Sequence, residues 1–197
     1  MSDNDSTQSD DTQIIELNTL RGKDACNFKL VNSNIKRLGN DELQLMLDII
    51  FKRSKISLRI LDWFVTTYSI MKNIRYRVKG KEFNVYLNYK SELKTFKKRH
   101  FDPFKRKKKF YYEILDTRLL TTIGQLNFFY WAITNDVIEY VDIHYDEIFD
   151  TMKAIIKNKK VNSSETVNDT VSDTKSSNSS SVYIPRPKKK RLVLSLS

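Results

Sequence analysis

Glycine is scarce in this chain, with four residues in 197, and proline is scarcer, with three. So few turn formers argue against sandwiches and barrels built from many tight turns. They also leave no Walker loop, dinucleotide-binding fingerprint or G-x-S-x-G nucleophile elbow. Cys26 is the single cysteine, so no intramolecular disulfide can form, and a reducing compartment is the expectation. His100 and His144 are the only histidines. One cysteine and two distant histidines fit neither a zinc finger nor a Cys–His nucleophile site. No run approaches the roughly 20 apolar residues of a membrane-spanning helix. The acidic start MSDNDSTQSDD lacks the basic end and apolar core of a signal peptide. These absences predict a soluble, non-secreted protein with no cofactor and no metal.

A further deficit is local and points to a partner. Residues 90–109, KSELKTFKKRHFDPFKRKKK, hold ten Lys/Arg against only Glu92 and Asp102, and so carry +8 of the chain's +11. The acidic segment 1–13 contributes −4 and residues 158–197 contribute +5, which leaves the rest of the chain nearly neutral. Such a segment repels itself unless an anionic partner lies against it, and phosphate backbones are the commonest such partner.

A 40% hydrophobic and 12% aromatic content supports one packed domain. Its expected limits are 14–157, between a disordered acidic tail (1–13) and a disordered Ser-rich tail (158–197) with a terminal basic cluster. Within the domain, apolar spacing predicts a helix from Asp41 to about Lys52 with Asn40 as cap, and a second from about Ser57 to Lys72. Strands are expected at 74–78 and 82–87, joined by Lys79-Gly80-Lys81, and a third at 109–115. Helices are expected over about Tyr89 to Arg99, from the capping pair Thr122/Gln125 onward, and over about Tyr140 to Lys157. The fold class is α+β: a small antiparallel sheet of about three strands packed with four to five helices.

On the helix expected at 89–99, Tyr89, Leu93 and Phe96 form the packing stripe, and Lys90, Lys94, Lys97 and Lys98 form a separate one. Asp102-Pro103 should stop this helix. The chain then continues as Lys105, Arg106, Lys107, Lys108 and Lys109, and these residues with Arg99 complete the candidate phosphate contacts. A lysine stripe alone usually marks a solvated face, but solvated faces mix Glu with Lys, and here the acids are missing. Lysine outnumbers arginine eight to two, which favours phosphate contact over base reading. DNA or RNA bound with little sequence preference is therefore expected, DNA ahead of RNA. The interleaved phenylalanines are expected in the core. Of the adjacent Tyr111 and Tyr112, one should point outward and offer a stacking surface for a base.

In the C-terminal tail, Arg186, Lys188, Lys189, Lys190 and Arg191 follow prolines and resemble a nuclear import signal read by importin. An enzyme is not expected. Asp142, His144, Asp146 and Glu147 read as a solvated helix start. Glu92-Leu93-Lys94 matches a nuclease fragment that needs a strand, and it sits in a helical pattern. The alternative to nucleic-acid binding is a virion structural or adaptor protein docking an acidic partner, with a Mg²⁺-dependent nuclease third.

Three stretches occur together: LRILDWFVTTYS (58–69), FNVYLNYKSELKTFKKRHFDPFKRKKK (83–109) and TTIGQLNFFYWAI (121–133). Their combination resembles an uncharacterised family of small basic proteins of nucleocytoplasmic large DNA viruses, the giant viruses and their relatives, over about residues 58–141. The resemblance lends no catalytic residues. It implies a viral DNA context and a place in the virion or in the host nucleus or cytoplasm.

Overall fold

A computed structural model describes residues 13–104 and 108–164. Helices α1 (Gly22–Ile35) and α2 (Asn40–Ile50) come first. Helix α3 (Leu58–Trp63) runs through a π-helical turn (Phe64–Tyr68) into α4 (Ser69–Met71). A hairpin of β1 (Arg75–Val78) and β2 (Lys81–Asn84) leads into α5 (Val85–Phe96) and a 3-10 turn at Lys98–His100. A second hairpin, β3 (Phe110–Ile114) and β4 (Thr117–Thr121), precedes α6 (Ile123–Thr134), α7 (Val137–Ile143) and α8 (Tyr145–Ser164).

The α+β class holds, but the described residues form more helices than the four to five expected, and the expected single sheet of about three strands is instead two separate antiparallel hairpins. They pair Arg75↔Asn84 through Val78↔Lys81, and Phe110↔Thr121 through Ile114↔Thr117. Both loops are two residues long with positive φ at each position, as the twist of a tight hairpin requires. The first uses Lys79 and Gly80, and the second uses Leu115 and Asp116 with no glycine at all. That second loop hid β4 from the sequence reading.

Other boundaries also shift for local reasons. The strand expected at 82–87 ends at Asn84, whose side-chain oxygen accepts from the Leu87 backbone N–H at 2.9 Å and starts α5. α5 begins earlier than expected and stops at Phe96, not Arg99. Gly39, not Asn40, caps α2, with its N–H donating to Glu42 Oε2 at 2.7 Å. Thr122 caps α6 by accepting from Gln125 N at 3.1 Å. Gln125 turns its Oε1 to the Thr121 hydroxyl rather than back to the cap. The single helix expected over 140–157 is two, broken at His144, and α8 runs on to Ser164. The helix α1 was not anticipated.

Helix α6 is the centre of the molecule. It is apolar on nearly every face, and Leu126, Phe128, Phe129 and Ala132 are fully buried. An aromatic cluster fixes α5 and the following turn against it. Tyr89, Phe101, Phe128 and Trp131 have ring centroids 5.6–6.3 Å apart, and the Trp131 indole N–H donates to Asn88 at 2.6 Å. Gly124 lets the α6 backbone approach the 99–102 turn: a Cβ there would lie 2.8 Å from the Asp102 carbonyl oxygen. At the other end, the π-helical turn brings the Tyr68 hydroxyl to Glu147 of α8 at 2.6 Å. Among the described residues no helix is long and apolar enough to cross a membrane.

Candidate functional site

The basic segment is built on α5 and the turn behind it. Tyr89 is buried and Leu93 and Phe96 are half-buried, while Lys90 and Lys94 stand exposed on the outer side. Lys97 and Lys98 are exposed too, but not as helix residues. Lys97 lies at φ 63°, ψ 156°, a backbone conformation that strongly favours glycine, and Lys98 opens the 3-10 turn. The helix ends here because Phe101 must turn inward onto Phe96, stacked at 5.9 Å, and onto Tyr89. Lys90, Lys94, Lys97 and Lys98 make no ion pair among the described residues. Of the two acids nearby, Glu92 is half-buried, and burial pushes its carboxyl up from the ordinary range. Asp102 accepts from Phe104 N at 2.9 Å, which shapes the turn into Pro103.

Arg99 and Lys108 behave differently. Both pair with Asp24 of α1: Arg99 Nη2 lies 3.0 Å from Oδ1 and Lys108 Nζ lies 3.0 Å from Oδ2. The buried His100 completes the cluster, with Nε2 2.8 Å from Asp24 Oδ1. Its Nδ1 meets Asn27 Nδ2 at 3.0 Å and the Phe96 carbonyl at 3.3 Å, and its own carbonyl accepts from Asn127 at 2.9 Å. Burial pushes the Asp24 carboxyl up. Hydrogen bonds from Lys108 and His100, with the charges of Arg99 and Lys108, outweigh burial and hold it below the ordinary carboxylate value. His100 thus joins α1 and the basic turn through both imidazole nitrogens, and α6 through its own carbonyl. Sequence reading missed this centre because Asp24 lies 75 or more positions before its partners, in a helix whose apolar periodicity is weak.

Lys109 is half-buried, and its backbone bridges in parallel to the N-terminal segment, through Ile15 N to Lys109 O at 2.8 Å and Lys109 N to Gln13 O at 2.9 Å. Lys105, Arg106 and Lys107 lie outside the described residues. So do the import candidates Arg186, Lys188, Lys189, Lys190 and Arg191. Tyr111 is 43% exposed with the Arg118 guanidinium 4.0 Å above its ring. Tyr112 is buried and donates to Asn32 Oδ1 at 2.6 Å, so it offers no stacking surface. Phe101 and Phe110 are in the core and Phe96 packs against it, whereas Phe104 is 42% exposed.

Two hollows flank this region. A cavity of about 200 Å³ sits over the Asp24 cluster, floored by Leu20, Phe110 and Ile123. A groove of about 570 Å³ lies between the α2–α3 connection and the 103–104 turn, and Thr122 lines both. Among the described residues no group of three or more His, Cys, Asp or Glu could hold a metal ion. Asp142 pairs with Lys55 at 3.0 Å and Glu147 with Lys72 at 3.5 Å. Glu92 and Lys94, the nuclease-like fragment, lie in α5 and not in a strand.

A model described as "Family of unknown function (DUF7197)" matches residues 8–194. The chain is 45% identical over 125 residues to "Uncharacterized protein L507" of Acanthamoeba polyphaga mimivirus, which is 58% of this chain and 48% of the relative. The chain thus spans about half the length of that curated relative. No solved structure matches. The giant-virus resemblance of the three sequence stretches is borne out.

Proposed function

Since the chain belongs to DUF7197, a family of unknown function, we propose from its geometry alone that it is a non-enzymatic nucleic-acid-binding protein of a large DNA virus. It holds phosphate backbone with little sequence preference. The observation that carries this is the uncompensated row Lys90, Lys94, Lys97 and Lys98. Lys90 and Lys94 stand on α5 and Lys97 and Lys98 on the turn that follows it, and Tyr89, Phe96 and Phe101 of the same stretch pack into the aromatic core. A surface held rigid and left without counter-charge binds a polyanion without first ordering itself. Arg99 and Lys108 are partly neutralised by Asp24 and serve chiefly to hold the turn. Lys97 supports the same reading, because a lysine placed where glycine is cheaper costs about 1 kcal/mol or more.

Fluorescence anisotropy of the full chain with labelled duplex DNA, single-stranded DNA and RNA over a salt series tests the proposal. Binding should weaken steeply with salt. Changing Lys90, Lys94, Lys97 and Lys98 to Ser should flatten the log–log salt slope by about 3 to 4 on duplex and lower affinity equally across sequences. Lys97→Gly should bind more weakly while unfolding at higher urea. No binding at low salt to any of the three would sink the proposal, and equal binding of a polyglutamate would favour an acidic protein partner.

A further inference from the structure

We propose that the groove beside Phe104 takes an unpaired nucleotide, so that the chain prefers single-stranded nucleic acid over duplex. This rests on the phosphate-binding reading and extends it to residues outside 90–104. The groove, of about 570 Å³, falls within the range of about 300–1,000 Å³ typical of small-ligand sites. Lys52 and Arg59 line one bank and Lys109 the other. Among the described residues no carboxylate lines it and none of the three cations forms an ion pair. Apolar wall comes from Leu58, Pro103 and the half-exposed ring of Phe104, the one phenylalanine of the basic segment left out of the packing. Gln125 accepts from Thr121 through Oε1, and its NH2 has no partner among the described residues.

An aromatic face, an amide and three cations around one hollow form the chemistry that holds a base together with its flanking phosphates. The position is continuous with the basic turn: Lys108 and Lys109 are adjacent, one lining the Asp24 cavity and the other this groove, with Thr122 shared between them. A duplex presents its bases stacked and paired, so it reaches only the phosphate row unless a base is extruded at a cost of a few kcal/mol.

The test uses the full chain, a 12-nucleotide single strand carrying 2-aminopurine, and a blunt-ended, fully paired 12-base-pair duplex. Wild type should bind the single strand more tightly and quench the 2-aminopurine. Phe104→Ala and Arg59→Gln, both at exposed positions, should weaken single-strand binding about 5- to 50-fold and restore the fluorescence. Duplex affinity should stay within about twofold, while changing Lys90 and Lys94 to Ser should weaken both ligands. Wild type binding both ligands equally, or Phe104→Ala leaving single-strand affinity and quenching intact, would overturn the groove and leave the phosphate row standing. No binding of either ligand by wild type would overturn the reading on which the groove rests.

Discussion

Asp62 sits half-buried in α3. Burial first, and the nearby Asp102 carboxylate second, push its pKa from 3.8 up to about 6. A raised carboxyl means that the native state holds its proton over a pH range where the unfolded chain has released it. Stability from this site is therefore greatest below about pH 4, falls as pH rises to about 6, and stays low above that. Asp62→Asn removes the titration. After discounting for partial exposure, we expect a gain of about 1–2 kcal/mol at pH 7.5 that largely disappears at pH 4. Urea denaturation at the two pH values checks it, and a gain of equal size at both would contradict the assignment. Single-residue chemistry of this kind was invisible in the sequence. The unpaired lysines could be counted there, but the pairing of Arg99, His100 and Lys108 with Asp24 depends on a contact between segments 75 or more residues apart.

At the scale of elements, Gly124 decides how closely α6 approaches the basic turn. An alanine methyl would meet the Asp102 carbonyl oxygen at 2.8 Å and the Phe101 nitrogen at 3.3 Å, both backbone atoms fixed by the aromatic cluster. The clash should outweigh the gain in helix propensity, so Gly124→Ala is expected to cost about 1–3 kcal/mol. Thermal unfolding reads this directly, and an unchanged or raised midpoint would show that the turn gives way freely. Elements with strong local signals were legible beforehand. The Thr122 cap, the Gly80 hairpin and the amphipathic stripe of α2 all appear where their residues predict them. Elements defined by distant packing were not. α1 buries Val31 and Ile35 but is otherwise rich in Asn and Lys, and β4 follows a turn without glycine. The Asn84 cap likewise converted Val85-Tyr86-Leu87, good strand formers, into the first turn of α5.

For the molecule as a whole, the proposed binding predicts that a nucleic-acid ligand will add to the stability of the fold. The chain carries +11, and residues 90–109 account for +8 of it. The described fold meets that charge with a single buried carboxylate, Asp24, and Lys90, Lys94, Lys97 and Lys98 form no ion pair among the described residues. A ligand that binds only the folded state adds stability in proportion to the logarithm of its excess over Kd, about 2.7 kcal/mol at a hundredfold excess. For a domain of this size we expect that to raise the unfolding midpoint by about 5–10 °C with a single-stranded oligonucleotide. Salt alone should raise the midpoint slightly by screening the lysine row, and in high salt the oligonucleotide should add nothing, because releasing counterions into concentrated salt then gains little. A thermal scan with and without oligonucleotide at low and high salt separates the two effects. A midpoint that moves equally with oligonucleotide at both salt concentrations would mean that the bound surface is not the lysine row.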